Sequence, residues 1–422
     1  PKFKSWVEAL ASNGYACGFT GKGWGPGNAK NARGQQRQIT GKAFAAKKQN
    51  SGIHGISNNN YSANFADFLK TAADDQPWCF WYGTTEPHRG YQYGVGVAKA
   101  GKKLSDIKHV PAFWPDNETV RNDMLDYAVE VEHYDTHLGR ILEHLKAAGQ
   151  LENTLIVATS DHGMPFPRCK GQAYDYSNHV PLAIMWAGQL KKPGRVINDY
   201  VSFADFAPTF LEVAGLTSSK AGMQAITGNS LMDIIASEKQ GQVSPQRDHV
   251  LIGKERHDIG RPNDWGYPIR GIVKNNVIYI RNYETDRWPA GNPETGYLNC
   301  DGSPTKTLLL NGRRNGTLAD YWKMNFGKRP TEELYDLNQD PDCVKNLATD
   351  KKYAKLKDQL AQEMTTRLKN QQDPRLTGNA GYFDTIPFVN RGNVRFYERY
   401  MKGEKVRAGW VNLSDFEEKP LD

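Results

Sequence analysis

The chain has 422 residues, 38% of them hydrophobic, and a formal net charge of +7; its mean hydropathy is −0.68. That length accommodates one large α/β domain and a smaller one, and no run reaches the roughly 18 apolar residues of a membrane span. The positive charge is dispersed, without a recognition helix, zinc finger or RNA-binding signature, so an anionic small molecule or polyanionic sugar is the expected partner rather than nucleic acid. Five widely spaced cysteines (Cys17, Cys79, Cys169, Cys300, Cys343) contain no Cys-x-x-Cys pair. They point to neither a zinc site nor a dense disulfide framework, and leave room for one or two disulfides with at least one thiol over. Asn60, Asn117, Asn315 and Asn412 stand in glycosylation sequons, which fix no compartment.

In chain order, the spacing of Phe3, Trp6, Val7 and Leu10 predicts a helix over 3–13, stopped by Asn13-Gly14. No signal peptide is visible, and the chain opens as if cut inside this helix. Tyr15 to Thr20 reads as a strand, followed by the glycine-rich loop Gly21-Lys22-Gly23-Trp24-Gly25-Pro26-Gly27. Its Lys precedes the last glycines, which is the wrong spacing for a phosphate-cradling P-loop. A short helix is expected over 64–73, and Trp78 to Tyr82 is a continuous apolar strand ending at Thr85-Glu86-Pro87-His88-Arg89. The stretch 89–115 is a long loop of the kind that carries function, with Arg89, Tyr91 and Tyr93 as candidates to line a sugar cleft.

A long helix is predicted over 117–148, with Asp135 and His137 on its surface or in salt bridges. Strands follow at 155–160 and 180–186, then a helix over 203–214 with Pro208 near its start and Gly215 at its end. Beyond about 250 the texture changes. A hairpin over 270–280 turning at Asn275-Asn276, a strand over 332–337 and an amphipathic helix over 351–369 predict an antiparallel α+β unit. No internal repeat is present.

The most informative stretch is Thr159-Ser160-Asp161-His162-Gly163-Met164-Pro165-Phe166-Pro167-Arg168-Cys169-Lys170. It leaves the apolar run Leu155-Ile156-Val157-Ala158, and Gly163, Pro165 and Pro167 exclude a helix. Open α/β sheets place ligand chemistry at such strand ends. Asp161 offers a hard carboxylate oxygen and His162 a ring nitrogen to a cation, while Lys170 offers charge to an anion held beside it. A surface turn with a capping Asp and a solvated Lys fits the same residues about as well.

The order of the pieces decides between these readings. The Gly-Lys loop, the Pro87-His88 strand end, the long helix, Ser160-Asp161-His162-Gly163, Val180-Pro181-Leu182, Asp205-Phe206-Ala207-Pro208-Thr209 and Glu333-Leu334-Tyr335-Asp336-Leu337 together resemble the formylglycine-dependent sulfatases. Within them, Gly163-Met164-Pro165-Phe166-Pro167 with Lys170, and Asn338-Gln339-Asp340-Pro341 leading to Asn346-Leu347-Ala348, look most like the heparan N-sulfatase branch. The likeness runs from about residue 5 to 372.

The resemblance implies an α/β, alkaline-phosphatase-like fold: a large mixed sheet flanked by helices over 1–250, and a small α+β subdomain with an antiparallel sheet over 251–422. It implies hydrolysis of sulfate esters or N-sulfates on a sulfated polysaccharide or oligosaccharide such as a glycosaminoglycan. A formylglycine made from Cys or Ser would attack sulfur beside a divalent cation, Ca2+ above others. Asp161 and His162 would be metal ligands; the family often has Asn at the second position, and imidazole is a softer donor. Lys170 would bind sulfate oxygens, His88 would contact sulfate or protonate the leaving group, and Lys22 would stand near both sulfate and nucleophile. Arg168 and His179 are further candidates to face substrate. Fixed cations suit sulfur transfer because negative charge builds on the equatorial and departing atoms.

Two departures from the family pattern stand out. Gly23 and Trp24 occupy the place where many relatives carry a His after the loop Lys. The family's Cys/Ser-x-Pro-x-Arg nucleophile motif occurs nowhere in the 422 residues, and its N-terminal Asp-Asp metal pair is not found ahead of the Gly-Lys loop. The expectation is that they precede residue 1, on a missing segment or on another chain. A secreted, periplasmic or lysosomal location is implied, with no membrane partner. An inactive relative that binds sulfated glycans, and a phosphodiesterase or phosphonate hydrolase of the same superfamily, are the alternative functions.

Overall fold

Residues 3–25, 29–73, 75–388, 390–406 and 409–421 are described by the computed structural model. Pro1 and Lys2, ahead of the expected opening helix, and Pro26 and Gly27 of the glycine-rich loop lie outside the described residues. Contacts divide the chain into two units: Pro1–His88, Ala128–Ala158 and Ala183–Asp248 form the first, and Arg89–Tyr127, Thr159–Leu182 and His249–Asp422 the second.

The first unit is built on parallel strands. Helix α1 (Trp6–Ala11) starts at a capping box in which Ser5 and Glu8 satisfy each other's backbone N–H. Strand β1 (Ala16–Gly21) lies between β2 (Lys42–Ala43) and β3 (Trp78–Gly83) in one parallel sheet, with Cys17 opposite Cys79 and Gly21 opposite Gly83. Helix α2 (Tyr61–Leu69) begins earlier than its apolar spacing indicates, because the Asn60 side chain caps the N–H of Ala63.

Helix α3 (Glu118–Ala147) is capped by Asn117 in the same way. Phe65 and Phe68 of α2 and Ile141 and Leu145 of α3 form one core with Trp78 and Phe80 of β3. Strands β4 (Ile156–Thr159) and β5 (Leu182–Met185) pair as a second sheet, and a 3-10 turn at Phe203–Asp205 leads into helix α4 (Phe206–Val213). Pro208 sits in the first turn of α4, where the N–H it lacks has no intrahelical partner.

His137, expected at the surface, is instead 1% exposed. Its Nδ1 accepts a 3.4 Å bond from the Ser62 N–H, and its ring meets Tyr61 edge-on at 5.2 Å. Burial, with His133 and Arg140 nearby, pulls its pKa down to about 4.

The second unit is built on an antiparallel sheet, β6 (His249–Lys254), β7 (Ile269–Lys274), β8 (Val277–Asn282) and β9 (Glu332–Asp336), in that order. Asn275 and Asn276 turn the β7–β8 hairpin with φ of 51° and 58°. Both are left-handed, as a type I′ turn requires. Helices α5 (Pro304–Arg314) and α6 (Ala319–Phe326) bury Leu309, Leu310 and Phe326 against Phe113, Trp114 and Phe166. Helix α7 (Ala354–Asn370) lays Leu360, Met364 and Leu368 on Ile272, Tyr279 and Leu334 of the sheet. All five cysteines are free thiols, so the disulfides the composition allows are not formed.

Candidate active site

In the first unit the expected site residues leave from the C-terminal ends of neighbouring parallel strands. Lys22 is the residue after β1. Its N–H donates to the Gly83 carbonyl at 2.5 Å, and its carbonyl accepts from Trp81 Nε1 at 3.1 Å, so its backbone is fixed to the end of β3 while its side chain is exposed. His88 follows β3 in a loop whose Glu86–Pro87 bond is cis, and its N–H donates to Thr85 O at 3.0 Å.

Glu86, which the sequence reading passed over, anchors that loop. Its buried carboxylate accepts from the Ser57 N–H at 2.6 Å and the Tyr61 hydroxyl at 2.7 Å. Burial, then the Glu86 charge, raises the Tyr61 pKa, which keeps the hydroxyl a donor.

In the second unit the Asp161–Lys170 segment forms turns without a helix, as its glycine and prolines require. Gly163 is held by its N–H to Ser177 O at 3.1 Å, and a Cβ there would fall 1.7 Å from the Tyr176 carbonyl oxygen; only glycine fits. Arg89 Nε donates to Pro165 O at 3.0 Å and Trp114 Nε1 to Pro167 O at 3.2 Å. The two carbonyls beside the prolines are thereby tied into the apolar core.

Asp161 projects outward, its side chain 86% exposed, with an oxygen 3.6 Å from His162 Nε2. His162 Nδ1 lies 2.7 Å from the Gly163 carbonyl. A carbonyl only accepts, so Nδ1 is the donor, and in the neutral form of the ring the lone pair is that of Nε2, beside the carboxylate. Two donors about 2.3 Å from one cation and roughly at right angles to each other stand about 3.3 Å apart, so the pair fits as two ligands of one divalent ion. Among the described residues no third carboxylate, thiol or imidazole lies within reach to complete a three-ligand group with them.

Lys170 is not solvated. Its Nζ donates to Asp301 Oδ2 at 2.6 Å, with the two side chains 10% and 8% exposed. His257 lies against Gly171, whose Cβ would meet its Nδ1 at 2.8 Å. His257 is exposed as a residue, yet its ring is desolvated. That desolvation, joined by Lys254, Lys170 and His162, pulls its pKa to about 3 and holds it neutral. The next residue, Asp258, is pushed up to about 6 by desolvation, against a bond from the Ile259 N–H. Lys254 Nζ donates to the Gly171 carbonyl at 2.5 Å. Asp301, Lys254, His257 and Asp258 were not singled out from sequence; the only local signal is the dense charge of Lys254-Glu255-Arg256-His257-Asp258.

The two remaining candidates are placed differently. His179 is at the surface, its side chain 79% exposed and its Nδ1 3.3 Å from Asp175 Oδ2, a bond that raises its pKa. Arg168 corrects its expected place facing substrate. It is 4% exposed and donates to the Met324 and Cys343 carbonyls, with the guanidinium 3.8 Å from the centre of the Tyr174 ring. Its backbone is left-handed, φ 67°, so the side chain turns into the core.

The Asp161-His162 donor pair and the Lys170 ammonium thus stand on one loop, nine residues from first to last. The family model named Sulfatase matches residues 2–216, and the chain belongs to the sulfatase family. Human N-sulphoglucosamine sulphohydrolase is 28% identical over 333 residues, covering 73% of this chain and 63% of that protein. An ulvan-active sulfatase of Formosa agariphila is 30% identical over 281 residues, covering 62% and 43%. The chain thus spans less than two thirds of the length of either relative. A Bacteroides thetaiotaomicron protein solved in work on glycosaminoglycan metabolism superposes with a TM-score of 0.60 at 18% identity, covering 91% of this chain and 80% of that one. At that identity the likeness establishes the fold, which is alkaline-phosphatase-like.

Proposed function

We propose that this chain forms the substrate- and metal-binding part of a sulfatase that hydrolyses sulfate esters or N-sulfates on a sulfated carbohydrate. The observation that carries the reading is the Asp161–Lys170 loop, which holds an imidazole lone pair beside an exposed carboxylate and an ammonium clamped by Asp301. The relatives named above act, by their names, on sulphoglucosamine and ulvan, both sulfated carbohydrates.

In this reading Asp161 and His162 hold a divalent cation, Ca2+ foremost, which lowers the electrostatic cost of charge on the sulfate oxygens. Lys170 binds sulfate oxygens from a position fixed by Asp301; sulfate binding by Lys22 and protonation of the departing oxygen or nitrogen by His88 are the roles that the family likeness gives to the first unit. A positioned acid contributes about 10²–10⁴-fold. The nucleophile is a formylglycine contributed from outside these 422 residues. Secreted, periplasmic or lysosomal residence accords with this substrate class.

The test is turnover of 4-methylumbelliferyl sulfate against the phosphate analogue by the full-length protein, with inorganic sulfate release from heparin and ulvan oligosaccharides. Sulfate turnover that exceeds phosphate turnover, and that Asp161→Ala abolishes together with bound Ca2+, supports the reading. Faster phosphate ester cleavage, or retained activity and metal content in Asp161→Ala, overturns it.

A further inference from the structure

The second unit carries a cavity of about 600 Å³ that none of the roles above employs. Tyr91 and Tyr93 enter it from the 89–115 loop, Thr307 and Asn311 from one face of α5, and Asn412 and Ser414 from the C-terminal segment. Tyr93 is 54% exposed, so a broad aromatic face is available to a ligand in the cavity.

The charge of the lining narrows the occupant. Arg89 is the one cation among the described lining residues, and its guanidinium is buried and bonded to both Asp123 oxygens at 2.5 and 3.0 Å. The other lining carboxylate, Asp126, accepts the N–H groups of Gly94 and Gly96 at 2.7 and 2.8 Å. No surplus positive charge remains to receive a sulfate or a uronate, and an anion would enter uncompensated. An uncharged sugar ring matches instead: its C–H face suits a tyrosine ring, and its hydroxyls suit the amides and hydroxyls of the opposite wall.

Two connections place this cavity beside the loop assigned to sulfate. Arg89 Nε donates to the Pro165 carbonyl within the Asp161–Lys170 loop. On the other side, Gly302 and Ser303 of the lining directly follow Asp301, the partner of Lys170. The cavity wall and the mounting of the Lys170 ammonium are therefore continuous chain.

We propose that the cavity is a subsite for an uncharged sugar residue of the glycan, neighbouring the sulfated residue directed at Lys170; this rests on the sulfatase reading and names what that site holds besides sulfate. It makes the chain selective for oligosaccharides in which a neutral residue adjoins the sulfated one.

Saturation-transfer NMR on the full chain tests this without any turnover, using N-acetylchitohexaose and a desulfated, N-acetylated, carboxyl-reduced heparin hexasaccharide as neutral probes. The expected result is saturation transfer to at least one probe, reduced fivefold or more in Tyr93→Ala and in Asn311→Ala, with wild-type melting temperatures in both. No transfer to either probe, or undiminished transfer in both folded variants, overturns the subsite. Failure of the sulfatase reading has a different signature: probe binding intact, with no hydrolysis of aryl sulfate.

Discussion

Lys170 and Asp301 stand 131 positions apart in the chain and meet at 2.6 Å with little solvent at either side chain. An ammonium enclosed to that degree depends on its partner, because removing one member of a buried pair leaves the other desolvated and uncompensated. Asp301→Ala should therefore destabilise the fold by about 3 kcal/mol, read as a lowered urea midpoint with unchanged slope. The same distance explains why Asp301 was not legible beforehand. Asp161, His162 and Lys170 lie within one short run and announce themselves, whereas a partner in another segment has no local signature. Arg168 shows the converse error: a cation two residues from Lys170 reads as part of the same face, but its left-handed backbone and two carbonyl acceptors turn it inward.

Among the elements, α3 has the most consequence for solution behaviour. Its apolar positions were plain in the sequence, but its buried stripe also carries Asp123, Asp126 and His137, which a hydrophobic pattern reads as exposed. Neutral His137 titrates near 4 in the fold against an ordinary value of 6.5. The unfolded chain binds the proton more readily, so this stabilisation is fully present above about pH 6.5 and is lost as pH falls toward 4. It amounts to about 3 kcal/mol. Unfolding free energy measured across that window should fall with pH, and His137→Asn should flatten the profile. The strands β1, β3, β4 and the β7–β8 hairpin were legible because buried apolar runs and an Asn-Asn turn are local signals. Helices α5 and α6 were not, since Lys306 and Asn325, both fully enclosed, interrupt their apolar spacing.

For the whole molecule, the order of motifs carried more than any single one: a fold and a family were readable from it, while the partition into units was not. The segments 89–127 and 159–182 group with the C-terminal sheet rather than with their sequence neighbours, because long-range packing, not chain position, sets such boundaries. The thiols give a second whole-chain measure. With all five cysteines free, a thiol titration in denaturant should count five under non-reducing conditions, and reductant should leave the melting temperature unchanged. Fewer titrated thiols, or a shift of several degrees, would contradict the thiol state described.

Under the proposed sulfatase function, the clamp on Lys170 also bears on how a turnover would end. A lone enclosed ammonium would hold inorganic sulfate as firmly as it holds the sulfated sugar, and the leaving anion would clog the centre. With a carboxylate at 2.6 Å, part of the attraction is offset before any ligand arrives, so under the proposed sulfatase function the divalent product would be released more readily. Free sulfate should accordingly inhibit weakly, in the millimolar range typical of loosely held anions. Asp301→Asn, which keeps the acceptor but removes its charge, should tighten that inhibition by about tenfold. A Ki for sulfate equal in the two proteins would show that Asp301 serves Lys170 as a mount and nothing more.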